Sequence, residues 1–254
     1  MLQTNERSTV LIELFLDIGK ELLESGAEIY RVEDTMIHLC EAYGMADVQS
    51  FAIRSLILLR ARDKNGVMQS GFRRVYSISS NMGKLEELNQ LSRFTCSEIP
   101  ETEEISARLR LIRKKQYTAP AVKLAAYMLA PFAFTFFFGG HLPEAVLAAA
   151  LGALLCFLDR FLAERMLQRI FYTLAASAVL ATIAISFGKL FPALETDKTM
   201  IAVIMLLVPG MALMNSARDM IDNAPMNGAL SCLDAILTAG AIAAGFAIPM
   251  LLLS

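Results

Sequence analysis

The pattern of apolar positions changes character part-way along the chain. Leu11, Leu14, Phe15, Ile18 and Leu22 recur at helical spacing and predict an amphipathic helix over residues 8–24. A second helix is expected to start at Ser25. Ser25-x-x-Glu28 has the form of a capping box, in which hydroxyl and carboxylate each take a free amide at the helix start. Ile29, Val32, Met36, Leu39 and Tyr43 make its buried stripe, and Gly44 ends it. Residues 48–61 and 72–79 read as strands, and Asn65-Gly66 within Arg62-Asp63-Lys64-Asn65-Gly66 signals a hairpin turn. Residues 82–95 and 100–116 return to helix, with Pro100 suited to a first turn. The order helix, helix, strands, helix, helix predicts a small α+β domain over residues 1–118.

Beyond residue 119 the amphipathic pattern gives way to long apolar runs. Five of them, near residues 122–138, 143–158, 170–191, 200–215 and 228–253, approach the roughly 20 residues that span a bilayer. They predict an all-α transmembrane bundle of about five helices in residues 119–254. Ala145 and Ala149, Ala148 and Gly152, and Ala241 and Gly245 give small-xxx-small spacings, which let helices approach closely in lipid.

The chain averages, 56% hydrophobic and 19% charged, hide this split. About two-thirds of the charged residues fall in residues 1–118. A secreted globule, a fibrous protein and a disordered chain are excluded. The net charge of −2 supplies no basic field, so nucleic acid is not an expected partner. The four cysteines, Cys40, Cys96, Cys156 and Cys232, show neither CxxC metal spacing nor a disulfide framework. The first residues lack the basic-then-apolar pattern of a signal peptide, so residues 1–118 are expected in the cytoplasm. Basic residues agree with that orientation. Arg108, Arg110, Arg113, Lys114 and Lys115 precede the first span, Arg160, Arg165 and Arg169 follow the second, and Arg218 follows the fourth. Five spans then leave the C-terminus outside, with lipid around the bundle.

Candidate chemistry concentrates in the fourth span and beyond. Pro209 cannot donate to the carbonyl four residues back, and Gly210 eases non-helical backbone beside it. Broken membrane helices with a polar flank are how many carriers build substrate sites; the bland reading is a proline kink at an ordinary helix end. Asn215, Asp219 and Asp222 share one helix face, and Arg218 can pair with Asp222 or grip a carboxylate with its two-pronged guanidinium. Asp234 stands among Leu230, Cys232, Leu233, Ala235 and Ile236, where a carboxylate must be protonated, paired or hydrated. It is a candidate proton site, the alternative being an interfacial residue that reaches water. In the first half, Glu28, Arg31, Glu33 and Asp34 read as a solvated helix face. His38 and His141, far apart and on opposite sides of the membrane, argue against a histidine metal site or catalytic triad. There is no GxxxxGK[ST], so transport would be secondary or powered by another protein.

Ser25-Gly26-Ala27-Glu28-Ile29-Tyr30-Arg31-Val32-Glu33, together with Pro209-Gly210 and Asn215-x-x-Arg218-Asp219, resemble the threonine/serine exporter family over nearly the whole chain. Members of that family join a cytoplasmic N-terminal domain to a hydrophobic bundle. Full-length members carry about ten spans, and five are counted here. The chain is thus similar to the larger subunit of the split version, in which a small five-span membrane subunit supplies the rest. That pair is associated with succinate export in one lineage. The resemblance implies an exporter rather than an enzyme, and leaves Gly26, Glu28, Arg31 and Glu33 as motif residues without a role.

The combined expectation is a secondary exporter subunit for a small carboxylate-bearing metabolite, either a dicarboxylate such as succinate or threonine and serine. No cofactor or metal is expected. Arg218 would bind the carboxylate, Pro209 and Gly210 would shape the pocket, Asn215 and Asp219 would hydrogen-bond polar groups, and Asp234 would carry the coupling proton. Two other readings stay open: an enzyme in residues 1–118 tethered to the membrane, and a sensor or scaffold whose membrane half only anchors it.

Overall fold

The computed structural model describes residues 2–162, 169–221 and 225–253. The chain forms two compact units. One comprises Met1–Tyr117 with Arg218–Asn227, the other Thr118–Ala217 with Gly228–Ser254.

The first unit opens with α1 (Leu2–Glu24) and α2 (Ile29–Ala42). Leu11, Leu14, Phe15, Ile18 and Leu22 are all buried, as their spacing requires. Three strands follow, β1 (Ala46–Ile53), β2 (Leu56–Arg62) and β3 (Met68–Arg74), paired antiparallel in the order β1-β2-β3. Ala52, Ile57, Leu59 and Ala61 alternate onto the inner face and join the α1 and α2 side chains in one core. The unit continues through α3 (Met82–Glu98) and α4 (Thr102–Lys114), which add Leu88, Leu91, Ile105 and Leu109 to that core.

Several local expectations give way here. The run 48–61 is two strands, because the chain reverses at Arg54-Ser55 with Ile53 paired to Leu56. That reversal has no glycine, proline or Asn-Gly pair, and a single serine announces a tight turn only weakly. The next reversal is the expected one: Gly66 takes φ +79, and the Asp63 carboxylate accepts from the amides of Asn65 and Val67. The third strand is Met68–Arg74 rather than 72–79. Pro100 stands before the N-cap of α4, Glu101, and so outside its first turn.

The capping box at Ser25 does not form. Helix α2 begins at Ile29 with Glu28 as N-cap, and no side chain caps it. Ser25 instead ends α1, with its hydroxyl buried and without a hydrogen-bond partner. The amides of Gly26 and Ala27 close the helix on the carbonyls of Leu23 and Leu22. This paired closure needs a left-handed residue, and Gly26 supplies it at φ +93.

The second unit is helical: α5 (Pro120–Phe137), α6 (Leu142–Leu162), α7 (Arg169–Leu190), α8 (Thr196–Leu207), and most of α9 (Gly210–Ile221) and α10 (Pro225–Leu253). Among the described residues, four helices are long and apolar enough to cross a membrane. The pair α8 and α9, bent by 49°, makes up to five. Leu147, Ala148, Leu151 and Leu155 of α6 meet Ala176, Leu180 and Ala184 of α7 and Ala202 and Val203 of α8. Small residues set the closest approaches. A side chain at Gly152 would collide with the Tyr127 carbonyl of α5, and one at Gly245 would come within 2.6 Å of the Leu174 carbonyl of α7.

Candidate functional site

The sequence break at Pro209-Gly210 separates two helices of 12 residues each. At 1.5 Å per residue each is about 18 Å long, too short for a hydrocarbon core of about 30 Å. Val208 leaves the helix with ψ 127. Its amide still reaches the Ile204 carbonyl, and α9 restarts with Leu213 donating to Pro209. Pro209 is buried, whereas a side chain at Gly210 would meet nothing within 4 Å. The break therefore sits beside open space, on one flank only.

Helix α9 then turns polar. Asn215 is half-buried, Asp219 is 8% exposed, and Arg218 faces outward. Asp222, expected on the face of Asn215 and Asp219, lies outside the described residues. Within the second unit, Ser216 donates to the Gly228 carbonyl of α10 at 2.7 Å. Farther along α10, Asp234 is half-buried, and its carbonyl takes the Thr238 hydroxyl at 2.8 Å.

Within the first unit, Arg218 donates to the Glu28 carboxylate, across 190 residues of sequence. The two motifs that carried the family resemblance thus meet. The Glu28 side chain is 16% exposed and that of Arg218 47%. Glu28 is also the residue that precedes the first turn of α2, where four backbone amides favour negative charge.

Glu33, one turn farther along α2, accepts from the Ala52 amide of β1 at 2.6 Å. The Ala52 carbonyl in turn takes the Asn227 amide at 3.4 Å. Burial pushes the Glu33 carboxyl above its usual value, and the Ala52 amide offsets part of that rise. The charged cluster on α2 is therefore not one solvated face. Arg31 and Asp34 are exposed, but Glu28 and Glu33 are held. Gly26, in the same motif, closes α1. Asn227 was not anticipated; an Asn just inside a helix start carries no signal for a partner in a distant strand. Among the described residues, no three His, Cys, Asp or Glu side chains are grouped to hold a metal.

The chain matches the model of one protein family, ThrE, described as "Putative threonine/serine exporter", over residues 13–253. No curated protein and no solved structure matches it.

Proposed function

The chain belongs to the threonine/serine exporter family, and from that premise we propose that it is one subunit of a secondary exporter for a small carboxylate-bearing metabolite. The family is one of transporters, which supports a transporter over an enzyme, and the apolar helices support a multi-pass membrane protein. The observation that carries the reading is the bent α8–α9 pair, two half-length helices broken at a proline with a polar flank. A broken helix frees backbone groups, and these are tolerated at membrane depth only beside protein or a watery cavity.

The roles we assign along α9 follow from chemistry. Pro209 and Gly210 open the backbone. Asn215 and Asp219 hydrogen-bond the polar groups of the substrate, and the Arg218 fork takes its carboxylate. Asp234 carries the coupling proton. The substrate is threonine or serine, as the family description has it, or a dicarboxylate such as succinate, as in the split version. Five spans are few for an alternating-access pathway, which is why we assign a small five-span partner subunit. We assign the chain to a bacterial inner membrane, with residues 1–118 in the cytoplasm, on the bias of its basic residues and its family.

Counterflow and gradient-driven efflux, measured side by side in vesicles that hold both subunits, test the assignment. Arg218→Lys keeps the charge but loses the planar fork. It should weaken the carboxylate substrate by on the order of 1–3 kcal/mol. Asp234→Asn should leave counterflow nearly intact and abolish the response of efflux to the pH gradient. Gradient-driven efflux that survives Asp234→Asn removes this residue from the mechanism.

A further inference from the structure

The Arg218 guanidinium is the group assigned above to the substrate carboxylate, yet in this structure a carboxylate already lies on it, that of Glu28. We propose that Glu28 is an internal stand-in for the substrate, and that Arg218 exchanges one carboxylate for the other when substrate binds. This rests on the exporter reading and adds to it a residue that regulates affinity.

The Glu28 side chain and a carboxylate substrate are ligands of the same chemistry and compete for one guanidinium. Glu28 holds the guanidinium through Nη1, so a second carboxylate that takes the end of the fork in two parallel bonds must displace Glu28 from that nitrogen. The Glu28 carboxylate is well placed to leave. It stands at the N-terminal end of α2 without bonding any amide there. Once released, it can turn to those amides, whose partial positive charge stabilises it. The Arg218 side chain is 47% exposed, so an incoming carboxylate has access to it. The pair is held from both sides. Gly26 fixes the turn before Glu28 at φ +93, and the Asn227 side-chain amide donates to the Ala52 carbonyl. Displacing Glu28 therefore need not release Asn227 from the Ala52 carbonyl.

A purely structural ion pair and an exchanging one differ in what Glu28→Gln does. If the pair is structural, removing its charge weakens binding of every ligand or none. If Arg218 exchanges partners, removing the competitor strengthens binding, and only of ligands that carry a carboxylate. The gain should be about two- to fivefold, the range expected for a partly exposed ion pair.

The test is equilibrium binding to the purified full-length chain, alone and with its partner subunit. The probes are L-threonine, L-serine, succinate, and threoninol, which lacks the carboxylate. Glu28→Gln should bind L-threonine or succinate about two- to fivefold more tightly and leave threoninol unchanged. Arg218→Gln should lose the carboxylate ligands and, in the double variant, cancel the gain. Glu28→Asp, which keeps the charge but shortens the reach, should show a smaller gain and covers the case in which Glu28→Gln melts early. Unchanged or weaker carboxylate binding in both Glu28 variants overturns the exchange while leaving the exporter reading intact. An equal gain for threoninol also overturns it, since the effect would then be structural. If the wild-type protein with its partner binds none of the four probes, the substrate assignment itself fails, and the exchange falls with it.

Discussion

Glu21 is a nearly buried carboxylate of the first unit that holds two cations. Its side chain is 8% exposed and faces Lys84 of α3 and Arg113 of α4, with Asp17 sharing Arg113. Burial opposes its ionisation, but hydrogen bonds from Lys84 and Arg113 outweigh that and hold its pKa below the ordinary 4.5. A group whose folded pKa is depressed contributes its full stability above the unfolded value and loses it as pH falls through the folded one. Glu21→Gln should therefore destabilise the first unit at pH 7 by about 1–3 kcal/mol, discounted for the exposed side of Arg113. The difference from wild type should close below pH 4.5. Amide hydrogen exchange across α1 at several pH values reads both effects. Gly26 makes a second residue-level case. Its φ of +93 and the Ser79 carbonyl, 2.8 Å from where a Cβ would stand, predict a loss of about 2 kcal/mol for Gly26→Ala in the same measurement. Gly26 was legible as a motif member, but its role was not. The helix closure that uses it depends on Ser25 ending α1, and the Ser-x-x-Glu pattern pointed the other way.

Between elements, the contact of α5 with α6 rests on the lack of a side chain at Gly152, which the Tyr127 carbonyl and the Pro131 ring approach. Gly152→Ala should force the two helices apart and cost about 1–3 kcal/mol, read as a lower melting temperature of the chain in detergent. The Ala148 and Gly152 spacing announced a close contact; that its partner would be α5 was not readable, since spacing names no partner. Helix α10 shows a different limit. At 29 residues it is about 43 Å long, more than a bilayer core of about 30 Å requires. Asp234 stands about 13 Å from its start, so helix length alone permits an interfacial carboxylate as readily as an embedded one. The Asp234→Asn transport experiment decides between them.

At the scale of the whole molecule, the basic residues flanking the helices set the expected orientation. A reporter active only outside the cytoplasm should be on when fused after Ser254 and off when fused after Arg169. The reverse result at Ser254 would mean that one of the five segments does not span, and the broken α8–α9 pair is the one to examine first. The count of spans carries the second expectation. Purified chain in vesicles should show no efflux of threonine, serine or succinate by itself, and efflux should appear when the small subunit is added. Robust transport by this chain alone would remove the need for a partner.

What the sequence determined by itself was whatever depends on neighbours in the chain. Hydrophobic period and run length marked α1, α2 and the apolar helices. Asn65-Gly66 marked its turn, and Pro209-Gly210 marked the break in the fourth apolar segment, where a missing amide stands next to a residue without a side chain; Pro131 and Pro249, without a glycine beside them, stay inside α5 and α10. The tertiary structure decided whatever depends on partners far along the chain. Glu28, Arg31, Glu33 and Asp34 look alike as charges on one helix. Only folding brings Arg218 to Glu28 and the Ala52 amide to Glu33, leaving the other two in solvent. The turn at Arg54-Ser55 was hidden for the same reason: strand pairing fixes it, through Ile53 opposite Leu56, and local backbone preference does not. A carboxylate's local sequence sets its charge, and the fold sets which cation or amide it holds.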